Sequence, residues 1–273
     1  MNSLVWDVVA NVLGNIFAWL FLGILTLLIV RRRTRIRFES FFGLKNGKKV
    51  IVYLSNLWDP KRAKADKPWG SIVAGQEFQA SQVVSRLFGV SPFSLPEIVR
   101  GFVDAFWIVK RIEIELTVSP VDTSFDNSNN LIVVGSTQKN TVRRAYARKN
   151  ALHVIIDGEP IKLDDNQINI HMNPLMERFK VLSGPRAGDI PTRKGEYELA
   201  IIEKVREQKR VAFFCVGTTG YGSRAAIEYL ARNWENLWET HKDHSFARCL
   251  WFPQKDIRGE YPNWDAVEYE DVH

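Results

Sequence analysis

No charged side chain interrupts the chain between Val8 and Val30, and the run ends against Arg31, Arg32, Arg33, Arg35 and Arg37. As an α-helix this stretch is about 34 Å long, against about 30 Å for a bilayer hydrocarbon core. It reads as a single transmembrane helix. Basic residues stay on the cytoplasmic side, which puts the N-terminus outside and everything after Arg31 in the cytoplasm. A cleaved signal peptide fits poorly. The charge flanks the wrong end, the run is too long, and no small-residue cleavage site follows.

The span also carries a stripe that a passive tether does not need. Asp7, Ala10, Asn11, Gly14, Asn15 and Ala18 recur at spacings of three and four, so they share one helix face. Small residues let helices approach closely, and Asn side chains hydrogen-bond across a helix pair in lipid. Asp7 and Asn11 can also be satisfied in the outer headgroup layer, but Asn15 lies deeper. Self-association of the anchor, and hence a homo-oligomer, is the expectation.

Charge separates the anchor from the rest. The 273-residue chain has a net charge of +6. Residues 1–37 hold five cations and one anion, which leaves +2 for residues 38–273. That is too little for a double-stranded nucleic-acid footprint, whereas the arginines suit anionic lipid headgroups. Cys215 and Cys249 make neither a disulfide framework nor a metal-ligand spacing. His241 and His244 stand three apart with no cysteine partner, so no metal is expected.

The division is therefore an anchor with its basic flank (1–37) and a cytoplasmic domain (38–273). Residues 50–54, 131–134 and 211–216 are apolar runs of the kind that form buried strands. Residues 112–118 and 199–202 add two more strands, and another lies near 249–252. Helices are predicted from about Gly75 to Phe88, from the Ser94-Leu95-Pro96-Glu97 signal, after Asn140, and from about Ser223 to Leu237. Residues 152–163 resemble a hairpin turning at Asp157-Gly158, and a polar insertion or lid covers about 157–195. Such alternation predicts an open, mostly parallel α/β sheet with helices on both faces. The aromatic residues Trp234, Trp238, Trp251, Tyr261 and Trp264 are expected to pack an edge of the sheet. The acidic tail, Asp265 to Asp271, reads as exposed.

Two strand-to-helix junctions carry the functional signal. The first runs from Leu131 through Gly135, Ser136, Lys139 and Asn140 to Arg143 and Arg144. Ligands of open α/β sheets bind at the carboxyl ends of strands, and free N–H groups at a helix start attract anions. Arg143 and Arg144 oppose the helix dipole there, which an anionic ligand would offset. The second junction holds Gly217, Thr218, Thr219, Gly220, Gly222, Ser223 and Arg224. Its glycine spacing is not the dinucleotide fingerprint, and no Gly-Lys-Ser/Thr of a P-loop occurs. Together these residues are the expected site for a phosphate-bearing ligand, a nucleotide or cyclic nucleotide.

The Ile132-Val-Val-Gly-Ser segment, the Val216-Gly-Thr-Thr-Gly-Tyr-Gly-Ser-Arg-Ala-Ala block and the Gly75-Gln76-Glu77 helix start resemble Rossmann-like nucleotide-sensing domains. SLOG and CARF-like bacterial sensors and nucleoside deoxyribosyltransferase-like proteins form that neighbourhood. The resemblance covers about residues 48–252. It implies a sensor or effector at the bacterial inner membrane that binds a nucleotide or cyclic oligonucleotide, as in antiviral signalling. It also implies a rival, since glycosidic-bond-cleaving members put a catalytic carboxylate where Glu77 stands. A membrane-tethered nucleosidase or NAD-cleaving enzyme is thus the enzymatic alternative, although a first-turn Glu is favoured by the helix dipole alone. A membrane-localised scaffold is the third possibility.

Overall fold

The computed structural model describes residues 2–44, 49–55, 75–89, 112–118, 128–135, 140–149, 151–157, 178–181, 197–208, 210–253 and 264–272. Helix α1 (Asn2–Phe41) is unbroken over 40 residues, about 60 Å. It is long and apolar enough to cross a membrane. Between Leu13 and Val30 its apolar side chains lie exposed, with Phe17, Trp19, Phe21 and Leu27 among the most open. The far end of the same helix is the opposite. Phe41 and Phe42 are buried in the core of the domain, with ring centroids 5.2 and 5.1 Å from that of Phe213.

Seven strands make one sheet: β1 (Val50–Leu54), β2 (Ile114–Val118), β3 (Asn130–Val134), β6 (Tyr197–Arg206), β7 (Val211–Gly217), β8 (Phe246–Pro253) and β9 (Glu268–Asp271). Their order is β2-β1-β3-β7-β6-β8-β9. The block β2-β1-β3-β7 is parallel, whereas β6, β8 and β9 join antiparallel. The sheet is therefore mixed, not mostly parallel. The reason is a short return. β6 ends at Arg206 and β7 begins at Val211, too few residues for the crossover that a parallel pair needs.

Helices cover both faces. Helix α2 (Gly75–Gly89) and helix α4 (Gly220–His241) pack on one face, together with the end of α1. Helix α3 (Thr141–Arg148) packs on the other through Val142, Tyr146 and Ala147. The result is a Rossmann-like α/β domain with an antiparallel extension. Cys215 and Cys249 are buried in it.

Two local expectations change. The strand β4 (Val154–Asp157) pairs antiparallel with β5 (Arg178–Val181), so its partner lies some twenty residues on instead of across a turn at Asp157-Gly158. The acidic tail is largely exposed, as expected, and forms the edge strand β9. There Asp271 takes both Nε and Nη2 of buried Arg248, at 2.6 and 2.8 Å. This pair holds the Asp271 carboxyl down at about 2 against its burial. Helix α4 starts at Gly220, three residues before Ser223, because Thr219 caps it. The helix expected near Pro96, most of the 157–195 insertion and Tyr261 lie outside the described residues. Trp251 is buried in the core and Trp264 stands edge-on to Phe252.

The end of α1 meets the sheet where the parallel strands begin. Buried Asn130, first residue of β3, donates from Nδ2 to the Gly43 carbonyl and accepts the Val211 N–H on Oδ1, each at 2.9 Å. The carboxyl ends of β1, β3 and β7 are at the opposite end of the sheet.

Candidate functional site

In a doubly wound sheet the crevice forms where two neighbouring strands send their connections in opposite directions. Here β1 leads through α2 to β2 on one side, and β3 leads past α3 toward β7 on the other. The switch point lies between the carboxyl ends of β1 and β3. Ser55 and Gly135 stand at those two ends.

Glu77 in the first turn of α2 reaches into this point. Its Oε2 accepts the Ser55 N–H at 2.8 Å, and only 5% of the residue is exposed. Burial raises the Glu77 pKa, opposed by the hydrogen bonds from the Ser55 N–H and hydroxyl. Gly135 has φ +99, and a Cβ there would lie 1.8 Å from Ser55 Oγ and 2.6 Å from Glu77 Oε1. Glycine is thus required twice, by backbone conformation and by the carboxylate beside it. Asn140 closes the same corner from beneath. Its Oδ1 caps α3 at the N–H groups of Val142 and Arg143, and its Nδ2 donates to the carbonyls of Tyr53 and Val134. It is fully buried and joins β1, β3 and α3.

The glycine turn after β7 is built differently from an open phosphate cradle. Glu198 on β6 places Oε1 2.7 Å from the Thr219 N and 2.8 Å from Thr218 Oγ1, both donating to it. The Thr218 N–H goes to the Leu199 carbonyl and the Gly217 N–H to Ser223 Oγ. Thr219 Oγ1 takes the N–H groups of Tyr221 and Gly222, and the Thr219 carbonyl takes that of Ser223. The anion held by this turn is the protein's own carboxylate. The two flanking glycines are explained by close approach. A Cβ on Gly217 would sit 2.3 Å from the Gly222 carbonyl carbon, and one on Gly222 would sit 2.6 Å from Glu198 Oε1. Gly220 faces Gln76 of α2, where a Cβ would be 3.4 Å from its Oε1.

The expected cations divide. Arg143 is fully buried, donates from Nη2 to the Val154 carbonyl at 3.0 Å and lies 5.7 Å from the Phe214 ring centroid. It fastens the start of β4 under the sheet. Arg144 is half-buried on α3. Arg224 pairs with Glu228 at 2.7 Å and reaches Gln79 of α2 at 2.8 Å, so it joins α4 to α2 beside the crest, the edge of the sheet at the carboxyl ends of β1, β3 and β7. Ser136 and Lys139 lie outside the described residues. On α1, Gly14, Asn15 and Ala18 are on its exposed length, and a Cβ on Gly14 would meet nothing within 4 Å. The side chains of Asp7, Ala10 and Asn11 are outside what is described.

Two site residues escaped the sequence reading. Ser55 carried no motif. Glu198 left one faint signal, an acidic residue just before the apolar run 199–202. Among the described residues no group of His, Cys, Asp and Glu is arranged to hold a metal ion. His241 instead stacks on Phe246 at 4.2 Å and faces Asp271 at 3.4 Å.

Fold and site define the class: a Rossmann-like α/β domain with a buried carboxylate at its switch point, joined without a break to an apolar helix. No family model matches the chain, and neither a curated protein nor a solved structure matches it.

Proposed function

We propose that the chain is a single-pass membrane sensor or effector. Helix α1 spans the inner membrane with its N-terminus outside, and the α/β domain binds a nucleotide or cyclic oligonucleotide in the cytoplasm. The observation that carries this reading is mechanical. Helix α4 starts at the glycine turn on the crest and ends beside α1, where Arg37 meets Glu239 at 3.4 Å and Ser40 donates to Asp243 at 2.7 Å. A passive tether needs no such rod. At 22 residues α4 is about 33 Å long, enough to carry a shift at the crest to the anchor.

At the crest, Glu77 suits ribose hydroxyls, since a carboxylate can only accept. The phosphate is assigned to the first junction, with Ser136, Lys139 and Arg144, and the Glu198-filled turn forms the wall. Ligand binding changes how subunits associate, and the anchors follow through the Gly14, Asn15 and Ala18 face. Such a device resembles the nucleotide-activated effectors of bacterial antiviral defence.

Mass spectrometry of small molecules retained by the detergent-solubilised full chain tests this. A nucleotide-type species should accompany the wild type and be lost from folded Gly135→Ala, whose Cβ invades the crevice. No retained species, or equal retention by both, contradicts the reading. The buried position and raised pKa of Glu77 favour one rival, cleavage of a glycosidic bond by that carboxylate. Under the sensor reading Glu77→Gln still responds to ligand, and purified protein breaks down neither nucleosides nor NAD. Turnover abolished by Glu77→Gln alone selects the enzyme.

A further inference from the structure

Lys242 follows α4 with φ +49 and ψ −123, a backbone conformation that glycine adopts far more readily than lysine. A lysine there costs backbone energy, so its side chain and local contacts must offset it. Its N–H donates to the Trp238 carbonyl at 2.7 Å, and its own carbonyl accepts Lys204 Nζ at 2.9 Å. Its ammonium lies 4.1 Å from the Trp238 ring centroid, and the Arg37 guanidinium lies 5.0 Å from the same centroid.

Two cations thus crowd one half-buried indole. Of the nearby carboxylates, Glu239 already pairs with Arg37, and Asp243 is held by Ser40 and Arg206. Among the described residues no carboxylate comes within ion-pair distance of the exposed Lys242 ammonium. Its position says which anion it could meet. Arg37 is seven residues beyond Val30 on the same helix, about 10 Å past the end of the apolar run. A headgroup layer is roughly 5–8 Å deep, and long basic side chains extend back toward it. Tryptophan is itself favoured at that depth.

We propose that the α1–α4 junction seats on anionic phospholipid headgroups, with Lys242 meeting a headgroup phosphate beside Trp238. This rests on α1 spanning the membrane, as proposed above. The seat fixes how the domain stands on the bilayer, so the rod α4 works against a held base.

The full chain in nanodiscs tests it through hydrogen exchange of the peptide covering residues 234–245. Discs of phosphatidylcholine are compared with discs in which part of it is replaced by phosphatidylglycerol. Exchange should slow in the anionic discs by about fivefold, the effect of one basic side chain seated. Lys242→Gly removes the charge and relaxes the backbone, so it should fold normally and lose most of the slowing, while Lys242→Arg keeps it. Equal exchange in the two discs overturns the proposal, as does full lipid-dependent slowing in Lys242→Gly. Inorganic phosphate added to phosphatidylcholine discs should change nothing. If it reproduces the slowing, the junction is a site for free phosphate and not a lipid seat. A chain recovered outside the discs refutes the spanning reading and the seat with it.

Discussion

Glu198 stands where a ligand phosphate would be expected in the glycine turn, and it is 5% exposed with two donors on one oxygen. Removing it by Glu198→Ala leaves the Thr219 N–H and the Thr218 hydroxyl without that acceptor. The expected loss is about 2 kcal/mol, the range for a hydrogen bond to a charged group, read by denaturant unfolding of the full chain in detergent. Gly222→Ala should destabilise by a similar 1–3 kcal/mol through overpacking. An unchanged midpoint in both variants contradicts the self-filled turn. The glycines of this turn were legible as a ligand-turn motif, but their close approach to one another and to Glu198 was not. Nothing in sequence spacing brings residue 198 to residue 219; β6–β7 pairing does. Lys204 makes a second residue-scale case, fully buried with Nζ 4.5 Å from the Phe41 ring centroid. Burial lowers its pKa to about 8, with Arg206 acting the same way and Asp243 opposing. Between that value and 10.5 the unfolded chain holds a proton that the folded chain has released, so stability rises with pH across this window. Relative to Lys204→Met the wild type should gain on the order of 3 kcal/mol over it. Unfolding midpoints that keep a constant difference from pH 7 to 10.5 rule this out.

At the scale of elements, hydrophobic runs identified β1, β3 and β7 well because strands buried on both faces must be apolar throughout. The direction of β6, β8 and β9 was less visible. The antiparallel half of the sheet depends on a connection of a few residues after Arg206 and on the ion pair of Arg248 with Asp271, and neither has a composition signature. The pairing of β4 with β5 was hidden for the same reason, since it is long-range. Helix α1 shows the reverse. Its apolar span was plain, but its continuation through Phe38, Phe41 and Phe42 into the core was not, because the arginine cluster resembles the end of a helix. Asn11→Leu with Asn15→Leu should leave membrane insertion intact, since it makes the span more apolar. It should reduce oligomerisation measured by native mass spectrometry, because an Asn contact in lipid is worth on the order of 0.6–2 kcal/mol. An unchanged oligomer distribution assigns those residues no part in association.

The whole molecule is a line of connected parts. The crest holds Ser55, Glu77 and Gly135; α4 runs from beside it to the α1 junction; α1 carries on into its apolar span. Coupling across such a distance requires that the ligand favour one arrangement of the rod over another. Disulfide cross-linking between anchors reports that arrangement directly. Ala18→Cys places a thiol on the exposed length of α1, while native Cys215 and Cys249 are buried and do not compete. The decisive comparison is the cross-linking yield of Ala18→Cys in native membranes, with the crest intact or closed by Gly135→Ala. Coupling predicts a severalfold lower yield with the closed crest, at equal protein level and with the same near-ultraviolet circular dichroism. Identical yields would show that the anchor does not respond to the crest.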